Sequence, residues 1–235
     1  MRSNKLSVTL LLLLLLGNGV AVAADFEKGI DAAILGDFQT ALPIFFTLAQ
    51  QGHADAQHVL GKAYFNGDGV LEVSSKSAVK WYTKAAEQGH DKAQMDLAMM
   101  YDYGMGVQEN NETAVSWYTK SADQGNAKAQ YNLGVLYVKG EDVSRNEEAG
   151  VKLITSAAEQ GYPRAQASMG AMYAQGLSVL KDDVRAYMWF YLATYNGSKD
   201  ASQGTELVAK EMSPAQIVKA QGMSRRCLAS DYTDC

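Results

Sequence analysis

The stretch that decides the fold covers residues 93–125 and reads AQMDLAMMYDYGMGVQENNETAVSWYTKSADQG. Its first part places Ala93, Leu97 and Tyr101 four residues apart, which is the spacing of one face of an α-helix. The same spacing returns in the second part at Ala114, Tyr118 and Ala122. Between the two parts lies GMGV, and a glycine directly after a helix suits the left-handed conformation in which helices often end. The stretch therefore predicts two helices joined by a short loop.

This helix pair recurs along the chain with a period of about 36 residues. A glycine follows each predicted pair, at Gly52, Gly89, Gly125, Gly161 and Gly197. A tyrosine recurs in the first helix of the pair, at Tyr64, Tyr101, Tyr137 and Tyr173. A fixed period of this length is typical of stacked arrays, in which each unit buries its apolar face against its neighbours. We therefore predict an all-α fold, an α/α solenoid of antiparallel helix pairs.

The period also predicts how the chain is divided. The segments are a signal peptide at 1–24, a divergent helix pair at 25–52, repeats at 53–89, 90–125, 126–161 and 162–197, and C-terminal capping helices with a tail at 198–235. In the last segment, Ser213 is followed by Pro214 and, three positions after the serine, by Gln216. This is the pattern of a capping box with proline at the first helical position, so a helix is expected to begin there.

The N-terminal segment has the parts of an export signal. Arg2 and Lys5 precede an apolar block at residues 6–16, which is shorter than the roughly 20 apolar residues of a membrane-spanning helix. Small residues follow, so we expect cleavage after Ala23 or Ala24. The mature chain is then expected in the bacterial periplasm or outside the cell, with no stable membrane insertion.

The charge of the chain excludes one class of partner. Its formal net charge is −5, and removal of the predicted signal peptide takes away two cations, Arg2 and Lys5, and no acidic residue. Nucleic-acid binding needs a basic face that neutralises phosphates. We therefore predict no nucleic-acid partner.

The complete motif resembles the Sel1-like repeat, a relative of the tetratricopeptide repeat. The pattern A-x-x-x-L-G-x-x-Y-x-x-G-x-G-V, followed by A-x-x-W-Y-x-x-A-A-x-x-G, occurs at residues 56–70 and 78–89. It returns at 93–107, with Ala98 in place of glycine, and at 114–125. The resemblance implies a right-handed superhelix, no cofactor, and a function in binding a protein or peptide rather than in catalysis. Exported bacterial members of the family resemble envelope regulators and assembly factors.

The resemblance also implies where a partner binds. In tetratricopeptide-like arrays the first helix of each pair lines a concave groove, at positions two before and two, five and six after the central leucine. Carried over, these positions are His58, Lys62, Phe65, Asn66, Met95, Met99, Asp102, Tyr103, Tyr131, Val135, Val138 and Lys139. Methionine and tyrosine on one face suit an adaptable binding groove. The alternative is that several of these residues pack between helices.

Cys227 and Cys235 are the chain's two cysteines, and their spacing equals that of Ala85 and Ala93, where one predicted pair meets the next. Disulfide-rich relatives place a C-x7-C pair at this turn. The resemblance thus implies a disulfide that braces the end of the array.

Two further sets of residues have side chains of the kind found in catalytic or metal-binding sites. Ser77 and Lys80 match the S-x-x-K of serine acylases, and some disulfide-rich relatives have been described as penicillin-binding, but the companion S-D-N and K-T-G elements are absent from the sequence. His53 and His90 occupy equivalent turns of successive repeats and are expected to stand a repeat width apart, whereas metal ligands converge. We predict no catalytic residue and no metal. A cell-wall or β-lactam-acting hydrolase, and a secreted effector that binds a host protein, remain as alternative functions.

Overall fold

The computed structural model of the chain describes residues 22–69, 72–140 and 143–235, and all regular secondary structure in these ranges is α-helical. The first helix, α1, covers residues 22–34. The others are α2 (Phe38–Gln50), α3 (Ala54–Asn66), α4 (Ser75–Glu87), α5 (Asp91–Asp102), α6 (Asn111–Asp123), α7 (Ala127–Lys139), α8 (Glu147–Glu159), α9 (Pro163–Gln175), α10 (Asp183–Tyr195), α11 (Ala201–Lys210) and α12 (Pro214–Ala229). Residues 1–21, and with them most of the predicted signal peptide, lie outside the described residues.

The helices begin and end where the sequence supplies the caps. Ser74, Asn110 and Asn146 each accept a hydrogen bond through the side chain from the backbone N–H three residues further on, which satisfies a donor that the helix itself leaves unpaired. The capping box at Ser213 and Gln216 is confirmed, since both of its hydrogen bonds form. Polar residues at the end of each loop therefore fix the start of the next helix.

In three of the four repeats, the first helix of the pair approaches the second at a glycine of the motif. A methyl group on Gly61 would overlap the ring of Tyr82, and one on Gly170 would lie 2.7 Å from the ring of Phe190. In the pair α7 and α8, a methyl group on Gly134 would lie 2.8 Å from the carbonyl oxygen of Gly150. A larger side chain at these positions would push the two helices of a pair apart.

The helices form two compact units, of which unit 1 ends at Glu109 and unit 2 runs from Asn110 to Cys235. In unit 1, α2 packs against α3, α3 against α4, and α4 against α5. Phe45, Leu60 and Trp81 form the centre of its core, and Phe26 of α1 meets the ring of Phe45 edge to face at 5.7 Å. Consecutive packing of this kind is the arrangement that an α/α solenoid requires.

In unit 2, the helices α6 to α10 also pack consecutively, and α10 contacts both α11 and α12. Its core contains Ile154, Met169, Met188, Leu192 and Cys227. With helix pairs packed in sequence order in both units, the predicted all-α fold of the α/α solenoid class is confirmed.

A series of side-chain amides, which the sequence analysis missed, ties successive pairs together. Gln57 donates to the carbonyl oxygen of Ala49 at 3.0 Å, and Gln166 donates to that of Ala158 at 3.1 Å. Both glutamines are buried. The side-chain oxygen of each also accepts a hydrogen bond from an amide at the end of the second helix of the same repeat. Gln88 donates to Gln57 at 2.7 Å, and Asn196 donates to Gln166 at 2.9 Å. Buried polar groups need such partners, so the amides fix the register between one pair and the next.

The C-terminal tail contacts Asn196, the last amide of this series. Cys227 and Cys235 are joined by a disulfide, with their Cα atoms 4.6 Å apart. The loop between them presents Tyr232, whose hydroxyl donates to the side-chain oxygen of Asn196 at 2.8 Å. The tail therefore ties the end of α10 to the loop that the disulfide closes.

Candidate functional site

The predicted groove residues divide between the two units. Unit 1 holds His58, Lys62, Phe65, Asn66, Met95, Met99, Asp102 and Tyr103, whereas unit 2 holds Tyr131, Val135, Val138 and Lys139. Lys62, Asn66, Lys139 and Tyr103 are exposed, the last at 66%. Phe65, Met99, Asp102, Tyr131, Val135 and Val138 are half-buried. Each unit thus offers some of these side chains to a partner.

Three of the predicted residues are used for packing instead. Met95 is buried at 6% exposure, and His58 is buried with its Nε2 atom 2.7 Å from a carboxylate oxygen of Asp96. Val138 lies against α8, because a methyl group on Gly150 would be 2.7 Å from it. The groove positions were assigned by counting residues along one helix. Such counting takes no account of a neighbouring helix that covers some of these residues.

Unit 2 contains a cavity of about 370 Å³ that includes one of the predicted residues, Tyr131. The other lining residues come from α9, α10 and the start of α11, and they are Arg164, Ala167, Ser168, Ala171, Phe190, Ser198, Asp200 and Ala201. Ser168 donates a hydrogen bond to the Tyr131 hydroxyl oxygen at 3.4 Å. The cavity therefore has hydroxyl groups beside an aromatic ring and a row of small side chains.

The aromatic part of the cavity exists because two helices leave room for it. Phe190 is half-buried, and methyl groups on Gly170 or on Gly204 would each lie 2.7 Å from its ring. The ring is therefore held between the backbones of α9 and α11. An aromatic ring fixed in this way offers an apolar contact surface at little conformational cost.

Opposite charges stand at the edge of the cavity. Arg164 and Asp200 are both exposed, and neither forms an ion pair or side-chain hydrogen bond with any residue that the structure describes. The neighbouring Tyr162 meets the ring of Tyr131 edge to face at 5.5 Å. Burial raises the pKa of Tyr162, and Arg164 opposes that shift. Tyr162 is therefore neutral at pH 7, and it leaves the charge of Arg164 uncompensated.

The sequence analysis missed Arg164, Phe190 and Asp200. One available signal was Phe190, which stands where the earlier repeats have Tyr82 and Tyr118. Its lack of a hydroxyl group marks a position that differs from the repeat pattern. Asp200 gave no comparable signal, because α11 does not follow the pattern.

The serine of the S-x-x-K pattern has a structural role. Ser77 takes part in the start of α4, where its backbone N–H donates to Ser74 Oγ at 3.2 Å and its hydroxyl accepts from the same atom at 2.9 Å. Lys80 forms no hydrogen bond to Ser77 among the described residues. In the part of the chain that the structure describes, no three histidine, cysteine or acidic residues are grouped so as to hold a metal ion.

A larger cavity, of about 690 Å³, lies in unit 1 between α1 and α2 and is lined by Val22, Asp25, Pro43, Ile44, Thr47, Leu48 and Gln51. Among the lining residues that the structure describes, none belongs to the predicted groove and Asp25 alone is charged. The cavity of unit 2 is smaller, but it combines an aromatic ring, hydroxyl groups and both signs of charge. We therefore take the unit 2 cavity as the candidate site.

Together, the packed helix pairs and the cavity between them define a helical-repeat protein of the α/α solenoid class. A family model for the Sel1 repeat matches residues 54–90, 91–126, 127–162 and 163–198. The chain therefore belongs to the Sel1-repeat family, and the resemblance noted in the sequence is confirmed.

Solved structures agree with this assignment. The chain is similar to c5321, a protective antigen present in uropathogenic Escherichia coli strains, at 31% identity and a TM-score of 0.81, over 88% of this chain and 45% of that one. It is also similar to a Sel1 repeat protein from Oxalobacter formigenes, at 35% identity and a TM-score of 0.67, over 77% of this chain and 74% of that one. Immunity protein Pa5087 from Pseudomonas aeruginosa shares the fold at 20% identity, with a TM-score of 0.56 over 92% of this chain and 84% of that one.

The chain spans less than half the length of the Escherichia coli protein. A search of curated proteins found no match. Over the described residues, no helix combines the length and the apolar character that crossing a membrane would require.

Proposed function

We propose that this protein is a non-catalytic interaction module that binds a segment of a protein partner in the cavity of unit 2. The observation that carries the proposal is the cavity itself, with a fixed aromatic ring and two uncompensated charges of opposite sign. Membership of a repeat family that usually serves protein–protein interaction supports it. We keep the predicted absence of catalytic residues as part of the proposal.

The chemistry of the cavity describes the segment that fits it. Phe190, Ala167 and Ala171 suit an apolar side chain of the partner, which would contribute most of the affinity once water is excluded. Arg164 suits a carboxylate and can bind it with two parallel hydrogen bonds. Asp200 suits a cation or a backbone N–H. We therefore propose an extended segment with one apolar anchor between an acidic and a basic group, the charges setting its orientation.

Two parts of the predicted groove remain proposed contact surfaces for a partner. In unit 2, Tyr131 and Val135 belong to the helix that borders the cavity. In unit 1, Met99 and the exposed Tyr103 remain a proposed contact of their own. The proposal adds Arg164, Phe190 and Asp200 to the predicted set.

We also propose that the chain is exported and works in the periplasm or outside the cell. The N-terminal sequence and the disulfide support this, because disulfides persist in oxidising compartments. Intact-mass measurement of the protein purified from its native cells tests it. A mature chain that begins at Ala24 or Asp25 is the expected result, and retention of residues 1–24 would contradict it.

The binding proposal is tested by crosslinking and charge reversal. A photoreactive amino acid at Ala167 is expected to capture a partner in intact cells, and Arg164→Glu is expected to weaken binding of that partner by about 1–3 kcal/mol. Lys152→Glu is the matched control, because Lys152 is an exposed residue of α8 in the same unit that does not line the cavity. If both reversals weaken binding equally, net charge rather than the cavity governs recognition. If neither does, the cavity is not the site.

A further inference from the structure

The chain's three histidines (His53, His58 and His90) all lie in unit 1, around the start of α3 and the start of α5. His58 and His90 have ring centroids 4.7 Å apart. The Nε2 atom of His58 is 2.7 Å from Asp96, and the Nε2 atom of His90 is 3.2 Å from Asp55. Two imidazoles from successive repeats thus lie in contact, with their ring planes tilted by 34° to one another, and each faces a carboxylate.

The hydrogen bonds of His90 require one form of its ring. Its Nδ1 atom accepts from the backbone N–H of Ala93 at 3.0 Å, which makes His90 the N-cap of α5. Its Nε2 atom faces a carboxylate oxygen of Asp55, to which it can only donate. A ring that accepts at Nδ1 and donates at Nε2 is the neutral imidazole, because the imidazolium carries a proton on both nitrogens.

Protonation of His90 therefore does two things at this site. The new proton on Nδ1 points at the N–H of Ala93, so the capping hydrogen bond is lost and a helical donor is left without its partner. The new charge also lies against the ring of His58. Both effects act where α5 joins α3, because His58 and Asp55 belong to α3 and His90 begins α5.

We propose that His90 is a pH-sensitive cap, which holds α5 to α3 when neutral and loosens the start of α5 when protonated. This inference concerns unit 1 and does not depend on the function proposed for unit 2. It would give the repeats of unit 1 a response to acid in the range where histidine titrates.

The groups around His90 favour its neutral form. Burial lowers the pKa of His90 from its ordinary value of 6.5, and a charge on His58 lowers it further, while Asp55 and Asp91 act in the opposite direction. Asp96 faces His58 rather than His90. Burial raises the pKa of Tyr82, with Asp96 adding to the shift, so this ring beside His58 brings no charge.

The sign of the effect follows from this lowered pKa. Below about pH 6.5 the unfolded chain binds more protons at this position than the folded chain does. The stability that the neutral cap contributes is therefore complete above about pH 6.5 and is lost as the pH falls toward the lowered pKa of His90.

The chain provides its own control for this cap. At the equivalent position of the next repeat, Asn126 accepts from the N–H of Ala129 at 3.1 Å and has no group that titrates. At the preceding position, His53 accepts from Ala56 at 3.3 Å and stacks on Phe26 rather than on a histidine. Asparagine and histidine thus cap with the same geometry here, and the variant His90→Asn should keep the cap without its titration.

The experiment compares hydrogen exchange of the first-turn amides of α5 in the whole protein at pH 7.5 and pH 5.5, corrected for intrinsic exchange rates. In the unmodified protein, the protection of Ala93 and Gln94 is expected to fall about fivefold at the lower pH, the factor that a typical capping bond represents. In His90→Asn that fall should be absent, while the amide of Ala129 should keep its protection in both proteins. An equal fall at Ala93 in both proteins overturns the proposal.

A second measurement does not depend on the variant folding correctly. Nitrogen NMR of the histidine rings at pH 7.5 is expected to find His90 protonated at Nε2 and unprotonated at Nδ1. A ring protonated at Nδ1, whether as the other tautomer or as the imidazolium, contradicts the proposal in the unmodified protein.

Discussion

The helix pairs α3–α4 and α7–α8 solve the same packing problem with different residues. In the first pair Gly61 leaves room for the ring of Tyr82, and in the second the equivalent glycine, Gly134, faces the backbone of Gly150 and the side chain of Ile154. The third repeat has Ile154 where the first has Tyr82, and Gly150 where the first has Ala78. Loss of the ring is thus accompanied by loss of a methyl group, and the two helices meet backbone to backbone. A repeat that departs from its motif is therefore packed differently, with compensating changes on both helices.

The largest expected effect tests whether the two pairs are equally well packed. Leu60 and Leu133 are the central leucines of α3 and α7, with exposures of 0% and 3%. We expect Leu60→Ala and Leu133→Ala each to lower the free energy of unfolding by about 2–5 kcal/mol, because each leaves a cavity in a closed core. Urea denaturation of both variants measures this. A much smaller loss for Leu133→Ala would mean that α7 and α8 are loosely packed.

The next effect reverses what the repeat motif suggests. Gly150→Ala restores the residue that the motif favours, but its methyl group would lie 2.7 Å from the carbonyl oxygen of Gly134. We expect this substitution to destabilise the protein by about 2 kcal/mol through overpacking. The control is Glu148→Ala, an exposed position of the same helix, for which urea denaturation should give a change within about 0.5 kcal/mol. Stabilisation by Gly150→Ala would show that the backbones of α7 and α8 do not meet as described.

A smaller effect concerns the amides that the two repeats have in common. Gln57 donates to Ala49, and Gln130 donates to Ala122 at 3.3 Å. We expect Gln57→Leu and Gln130→Leu to cost about 1–2 kcal/mol each, since each variant removes the side-chain donor to a carbonyl oxygen and also the acceptor of the amide of Gln88 or Gln160. Similar losses of unfolding free energy, measured by thermal or urea unfolding, would show that the two repeats are alike in their buried polar contacts as well. A cost confined to Gln57 would show that the amide does not bind α7 to its predecessor.

The smallest expected effect concerns a residue that belongs to neither core. Tyr103 is 66% exposed, so Tyr103→Ala is expected to change the free energy of unfolding by less than about 0.5 kcal/mol. The buried Tyr118, at 0% exposure, is the matched tyrosine, and Tyr118→Ala should cost about 3–5 kcal/mol. Urea denaturation measures both variants. If Tyr103→Ala destabilises the protein as much as Tyr118→Ala does, Tyr103 is a packing residue and is not part of the proposed contact surface of unit 1.

The helices could be predicted from the sequence because their signals are local. The spacing of Ala93 and Leu97 gives the buried face of a helix, and Asn110 and Asn146 cap the helices that follow them. Each of these effects acts within one or two turns of helix. The exposure of the predicted groove residues could not be predicted in this way. His58 and Met95 lie in the expected helices, but other parts of the fold bury them.

By itself, the sequence determined the helix pairs, their period, their caps and the family, because repeated small and apolar residues act between neighbours in the chain or in the array. The tertiary structure decided which surfaces remain open. Phe190 becomes part of a cavity because α11 brings Gly204 against it, and Arg164 of α9 and Asp200, directly before α11, both line that cavity. Likewise, His58 and His90 lie far apart in the sequence, and their rings come into contact because α3 and α5 lie side by side. Such sites depend on distances between residues of different helices, and no local pattern in the sequence encodes those distances.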